Sequence, residues 1–261
     1  MSGPILVFDS GVGGLSILEE VRKVLPDEDY CYLFDNARLP YGELDEQELI
    51  DGCESLIAAT VDKVNASLVV IACNTASTLV LPVLRKALNI PVVGVVPAIK
   101  PAALYSKAEH IGLLATPGTI KRDYTHSLIK EFASSCQVEL FGSSELVLLA
   151  EKKAAGNIIL QEEISQLLYP IKASALDTLV LGCTHFPILK DEIQEYLGDE
   201  VLLLDSGKAV AARVSSLIER NVKLKTGNKE MVALYTQEIE EGLKKSLAEF
   251  GFSSLSKVQT G

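Results

Sequence analysis

Leu68-Val69-Val70-Ile71-Ala72-Cys73-Asn74-Thr75-Ala76-Ser77 decides the fold. The stretch opens on a continuous apolar, β-branched run. It passes through small amide and hydroxylated residues and enters a helical pattern. A strand without polar alternation is buried on both faces, the habit of a parallel sheet covered by helices. The stretch Leu179-Val180-Leu181-Gly182-Cys183-Thr184-His185-Phe186-Pro187 repeats these events, its cysteine 110 residues after the first.

Working outward, further strands are predicted over 5–8, 31–34, 92–96, 111–115, 138–141 and 201–204, beside 68–72 and 179–181. Helical periods lie between them. Over 48–65, Leu49, Ile50, Cys53, Leu56, Ile57, Val61 and Val64 recur at three- and four-residue steps. Over 119–134, Ile120, Tyr124, Leu128 and Phe132 form a similar stripe. This alternation implies an α/β fold of two similar domains. Each is a mainly parallel sheet flanked by helices, with the active site at the domain interface. A strand ending in a polar, Gly-containing turn opens each half, and a strand ending in cysteine comes later in each. The expected division is 1–97 with a returning segment 208–261, and 98–207. Pro97 to Lys100 is the expected crossing and Asp205-Ser206-Gly207 the return. Residues 221–229 are expected to be a polar surface loop, and the tail after Phe252 partly mobile.

The chain has 261 residues and is 48% hydrophobic, enough for a sizeable core. It has no apolar run of the ~18 residues that a membrane span needs. Met1-Ser2-Gly3-Pro4 leads straight into a strand-like run, so no export signal is expected. Five cysteines without regular spacing fit a reduced, cytoplasmic protein better than a disulfide framework. No zinc-ligand spacing occurs, so no metal is expected. The net charge of −11 argues against a nucleic-acid binder. It leaves room for a small anionic substrate, because a local field can oppose the global charge.

In parallel α/β folds ligands bind beyond the carboxyl ends of the strands. Cys73 and Cys183 stand there. A free cysteine is ordinarily a small buried hydrophobe, and Cys31, within a strand, and Cys53, on a helical stripe, fit that role. Cys136, beside Ser134 and Ser135, reads as a loop thiol. Cys73 and Cys183 differ because the N–H groups of a following helix would favour a thiolate. Two thiols in duplicated settings suggest an acid and a base facing each other across a substrate. That chemistry moves a proton from one face of a carbon to the other.

Phe8-Asp9-Ser10-Gly11-Val12-Gly13-Gly14 permits a tight strand-to-helix turn and close approach of a ligand to backbone N–H groups. It lacks the third glycine of the dinucleotide fingerprint and the Lys-Ser/Thr of a phosphate loop. Asp9 or Ser10 could cap the helix starting near Leu15; Ser10 could do so while Asp9 points at the site. His185 lies two residues from a candidate thiol and could tune it or relay its proton. His110 and His126 receive no role. Pro40-Tyr41-Gly42 has the composition of an ordinary turn. Glu151, in an acidic-basic helical stretch, reads by default as a solvated carboxylate.

At these residues the sequence closely resembles the glutamate racemases of the cofactor-independent aspartate/glutamate racemase superfamily. The matching segments run from Phe8 to Ser16, and through Pro40-Tyr41-Gly42, Ala72-Cys73-Asn74-Thr75-Ala76-Ser77 and Gly182-Cys183-Thr184-His185-Phe186-Pro187. They occur in the family's order and are specific jointly rather than singly. Aspartate racemases of the superfamily typically carry glutamate at the place of His185, which favours glutamate as substrate. The resemblance implies two α/β domains with the site between them and no cofactor. It implies that Cys73 deprotonates D-glutamate and Cys183 deprotonates L-glutamate. Asp9 would assist Cys73 and His185 would assist Cys183, with Glu151 a further acid near the second thiol. Ser10, Pro40, Tyr41, Gly42, Asn74, Thr75, Thr119 and Thr184 match substrate-holding positions, and Thr116 neighbours them. A role in supplying D-glutamate for bacterial peptidoglycan and a homodimer are also implied. Whether an activator such as a cell-wall precursor is required stays open.

The residues agree with this chemistry. An amino acid's Cα–H is a very weak acid, usually acidified by a carbonyl cofactor. No lysine here has the context of a cofactor anchor. A cofactor-free site must instead stabilise the carbanion by hydrogen bonds in a dry, preorganised cavity. Competing readings are a sister racemase acting on aspartate or a hydantoin, a non-catalytic module binding acidic metabolites, and an acidic regulator of a DNA-handling enzyme. Cys73→Ala and Cys183→Ala are each expected to abolish net racemisation with an unchanged circular dichroism spectrum. Cys53→Ala is expected to leave turnover intact. Full activity in either of the first two variants would rule out two bases.

Overall fold

A computed structural model describes residues 3–218 and 229–258 of the chain. Strands and helices alternate. The first part contains β1 (Ile5–Asp9), α1 (Leu15–Val24), β2 (Tyr30–Phe34), α2 (Glu46–Val64), β3 (Leu68–Ile71), α3 (Asn74–Ala87), β4 (Val92–Gly94) and α4 (Ile99–Tyr105). Then come β5 (His110–Ala115), α5 (Pro117–Lys121), α6 (Asp123–Phe132), β6 (Gln137–Gly142), α7 (Glu145–Ala154), α8 (Gln161–Ala173), β7 (Thr178–Leu181), α9 (Lys190–Leu197) and β8 (Leu202–Leu204). The chain closes with α10 (Gly207–Ile218), β9 (Met231–Tyr235), α11 (Glu241–Phe250) and β10 (Ser254–Lys257).

Two sheets result, with strand orders β10-β9-β2-β1-β3-β4 and β6-β5-β7-β8. Every pairing is parallel, as the apolar runs require. All residues of β1, β2, β3 and β7 are buried, so helices must cover both faces. On the first sheet α1, α10 and α11 pack Leu18, Val21, Val214 and Leu247 against one face. On its other face α2 and α3 pack Leu49, Ile57, Val80 and Leu84. The second sheet is covered by α7, α8 and α9 on one face. Its opposite face is covered by α4 and by α6 residues such as Leu128 and Phe132. This is a two-domain α/β fold.

The sheets share a topology. Reading β2-β1-β3-β4 against β6-β5-β7-β8, each places its first and third strands side by side. The crevice where strand order reverses is the natural ligand site. Asp9 ends β1 and Cys73 stands two residues past β3. Thr116 follows β5, and Cys183 stands two residues past β7.

Three expectations change. The stripe over 119–134 is two helices, broken at Arg122 in an extended conformation (φ −80°, ψ 141°). Ile120, Leu128 and Phe132 still pack on one cluster, so a period count does not register the break. As far as the described residues run, to Val258, the tail after Phe252 joins the sheet: β10 pairs in register with β9, Lys257 opposite Tyr235. Phe252 itself is buried against Tyr32. Strand β9, absent from the predicted set, pairs with β2 and extends the first sheet. Most of the predicted surface loop, residues 221–228, lies outside the described residues, as do 259–261. Leu247, on α11 of the returning segment, is fully buried in the core of the first sheet. Leu247→Ala is expected to lower unfolding free energy by about 2–5 kcal/mol in urea titration. A loss within error of zero would mean that α11 is not part of the core.

Candidate active site

The turn after β1 is held by Asp9, whose Oδ2 accepts the N–H groups of Gly11 (3.2 Å) and Gly14 (3.0 Å). Asp9, not Ser10, therefore organises the start of α1; Gly14, at the cap position, has no side chain of its own to cap with. The Ser10 hydroxyl lies 3.8 Å from Cys73 Sγ. The other Asp9 oxygen, Oδ1, accepts from Thr184 Oγ1 at 3.2 Å, joining the two sheets.

The turn after β7 presses on the same segment. Cys183 Sγ is 3.7 Å from His185 Nδ1, and His185 Nε2 is 2.7 Å from Glu151 Oε1. That carboxylate oxygen also accepts the Val12 N–H at 2.8 Å. Glu151 is thus engaged at the domain interface, which overturns its default as a solvated carboxylate. Gly13 is confined here. A Cβ on it would stand 2.5 Å from His185 Nδ1 and 2.6 Å from Thr184 Oγ1.

Cys73 caps α3, its Sγ accepting the Ala76 N–H at 3.4 Å. Helix geometry was expected to favour a thiolate. Burial dominates instead, with the Asp9 charge adding to it, and raises the Cys73 pKa well above the ordinary thiol range. Cys183 is also among the groups whose charge opposes a thiolate at Cys73. Asp9 is itself raised by burial, partly offset by the His185 charge and by its two backbone hydrogen bonds. Burial works to lower the His185 pKa, but the hydrogen bonds to Cys183 and Glu151 outweigh it and raise the imidazole well above its usual value. Each cysteine therefore has its own polar chain, Ser10 and Asp9 near one, His185 and Glu151 near the other.

Three buried hydroxyls form a triangle across the interface. Thr75 Oγ1 lies 3.0 Å from Thr116 Oγ1 and 3.2 Å from Thr119 Oγ1, and the last two are 3.0 Å apart. Asn74 Oδ1 is buried and has no hydrogen-bond partner among the described residues. A buried acceptor left unpaired is costly, so this one suits a ligand donor. The Leu39–Pro40 peptide is cis. Beyond it, the Tyr41 ring turns away and donates its hydroxyl to Asp35 Oδ2 at 2.5 Å. Asp35 also accepts from Arg38 Nε (2.6 Å) and Thr236 Oγ1 (2.7 Å). What this loop brings against Thr116 is Gly42, where a Cβ would meet Thr116 Cβ at 2.6 Å. A cavity of about 580 Å³ reaches Asn74, Cys183 and Thr184 from the side of Leu15, Ile188 and Phe250.

The strand ends thus bring together Asp9, Ser10, Cys73, Asn74, Thr75, Thr116, Thr119, Cys183, Thr184 and His185, with Glu151 from α7 and the Pro40-Tyr41-Gly42 loop beside them. Sequence reasoning did not find Asp35 as the anchor of that loop, although its place just past β2 was a signal. Among the described residues no group of three or more His, Cys, Asp or Glu side chains is placed to hold a metal ion.

Comparison with known proteins places the chain in a family. The family model described as Asp/Glu/Hydantoin racemase matches residues 15–214. A curated glutamate racemase of Shewanella woodyi is 79% identical over 266 residues, covering 100% of both chains. The crystal structure of Escherichia coli glutamate racemase with L-glutamate and the activator UDP-MurNAc-Ala superposes with a TM-score of 0.94 at 42% identity, covering 99% of each chain. That of Francisella tularensis glutamate racemase with D-glutamate gives 0.82 at 27% identity, covering 99% of this chain and 98% of that one. A family model that spans most of the chain, with relatives this similar over their full length, makes it an amino-acid racemase that belongs to the Asp/Glu/hydantoin racemase family, among its glutamate racemases.

Proposed function

We propose that the chain interconverts L- and D-glutamate by cofactor-independent two-base proton transfer. The observation that carries this is the pair of buried thiols, Cys73 and Cys183, each at the strand switch point of its own sheet and each with a separate polar chain. One cysteine as thiolate takes the Cα proton, the electron pair remaining on the carbanion. The other, as thiol, gives its proton to the opposite face. After one turnover the protonation of the pair is inverted, and the roles swap with substrate handedness. Cys73 acts on D-glutamate with Asp9 beside it; Cys183 acts on L-glutamate with His185 and Glu151.

A protonated His185 directs an N–H at the Cys183 sulfur, which suits negative charge there. Burial that keeps the Cys73 proton on also keeps water out, so hydrogen bonds to the developing carbanion act at low dielectric. For binding, Asn74 Oδ1 offers an acceptor to the substrate ammonium. The Thr75, Thr116 and Thr119 hydroxyls can each donate to a carboxylate, which accepts several such bonds. Ser10, Thr184 and the backbone of Pro40, Tyr41 and Gly42 complete the set. The glutamate complexes of the E. coli and F. tularensis relatives support glutamate as the substrate.

We place the enzyme in the cytoplasm as a homodimer supplying D-glutamate for peptidoglycan, and hence for cell wall and cell shape. Its domains are 1–97 with 208–261, and 98–207.

Proton NMR in heavy water, without cofactor, tests the substrate. L- and D-glutamate are expected to exchange the α-proton and invert, while both aspartates stay unchanged. A parallel arm contains a cell-wall precursor, because the E. coli relative binds an activator. Aspartate turnover alone would move the substrate assignment, and no exchange in either arm would contradict catalysis. Asp9→Asn tests the electrostatics. Removing the Asp9 charge is expected to let the Cys73 thiol ionise at lower pH, read as thiolate absorbance against Cys73→Ala. An unchanged or higher midpoint would contradict the coupling.

A further inference from the structure

Arg122 is a cation that the two-base scheme leaves unused. Its side chain is only 8% exposed and springs from the extended break between α5 and α6, on the second-sheet side. Its Nη1 donates to the Thr75 carbonyl and to the Thr78 hydroxyl, each at 2.5 Å. Both acceptors belong to the start of α3, on the first-sheet side. The Thr78 hydroxyl also donates to the Thr75 carbonyl, at 2.8 Å, so three groups are tied at one point. Nε reaches Glu46 Oε1 at 3.4 Å, but that carboxylate side chain is 64% exposed. Water therefore screens the partner while the guanidinium stays inside, an arrangement that costs free energy unless the charge serves something nearby.

What lies nearby is the site. Thr75 is two residues from Cys73 and contributes one corner of the hydroxyl triangle. The other corners, Thr116 and Thr119, belong to the α5 turn that immediately precedes Arg122. One side chain thus fixes the first turn of α3 to α5, which sets the spacing of that triangle. We propose that Arg122 is a positioning residue for racemisation, clamping the Cys73-Asn74-Thr75 turn against Thr116 and Thr119 and lending its charge to the anionic side of the site.

This inference rests on the proposed function. The titratable groups whose charges couple to Cys73 include Asp9 from β1, Tyr32 from β2, Cys53 from α2, Cys183 from the second sheet and Arg122 itself. Burial lowers the Arg122 pKa, and Cys73 is among the groups whose negative charge opposes that. Taking the cation away should make the Cys73 thiol harder to ionise.

The test compares wild type, R122M and R122K by steady-state kinetics with both glutamate enantiomers across pH, alongside thermal unfolding. R122M is expected to lose about tenfold or more in kcat/KM, as misplaced groups do, and to shift the acid limb of kcat/KM to higher pH. R122K keeps the charge and loses the two-point grip. It should retain the wild-type limb and still lose kcat/KM. An unmoved limb in R122M overturns the inference, because a purely structural role would lower activity without moving it. Should R122M fail to fold, R122K decides: lowered kcat/KM near the wild-type melting temperature supports the clamp, and wild-type kcat/KM overturns it. A wild type that racemises neither enantiomer overturns the proposed function and this inference with it, whereas an active wild type with unaffected variants counts against Arg122 alone.

Discussion

The hydrogen bonds that join the Asp9–Gly14 turn to the second sheet are the constraint on which the rest of the site depends. Asp9 accepts from Thr184, and Glu151 accepts from both Val12 N–H and His185. These contacts lie at 0–18% side-chain exposure, where a broken bond leaves a buried polar group unpaired. They hold two strand switch points mouth to mouth. Ser16 adds to the join, its hydroxyl donating to the Thr184 carbonyl at 3.1 Å. Gly13 is the steric counterpart, since any larger residue would push the His185 turn away.

From that join the electrostatics follow. Burial alone would keep both the Asp9 and Cys73 protons on and take the proton off His185. The hydrogen bonds of His185 to Cys183 and Glu151 reverse the last of these, so the second half of the site favours a protonated imidazole beside its cysteine. The first half carries an acid beside its own. Topologically like halves thus give chemically unlike surroundings. That asymmetry suits a reaction whose two directions begin at opposite faces of one carbon.

The sheets were legible because their strands are continuous apolar runs, and both cysteines were legible because each follows such a run. The duplicated architecture appeared only as a weak echo in sequence, whereas strand order makes it plain. Other features had no local signal. Ser254–Lys257 is a polar edge strand, and only its register with β9 makes it part of the sheet. The break at Arg122 leaves the hydrophobic period intact. Glu151 sits on an ordinary amphipathic helix, and its engagement depends on a turn 139 residues away in sequence. The roles expected of Asp9, His185 and Glu151 came from family resemblance; the distances show only what each side chain touches.

The most direct test of two bases is the isotope content of the first product formed in heavy water. L-glutamate is converted briefly, and the Cα of both enantiomers is analysed by mass spectrometry before appreciable reversal. If one cysteine removes the proton and the other delivers a solvent-derived one, new D-glutamate carries deuterium while unconverted L-glutamate keeps protium. The reverse pattern holds when D-glutamate is the starting enantiomer. Protium retained in the product, or deuterium washed into the unconverted substrate at a comparable rate, would point to one base serving both faces and contradict the account.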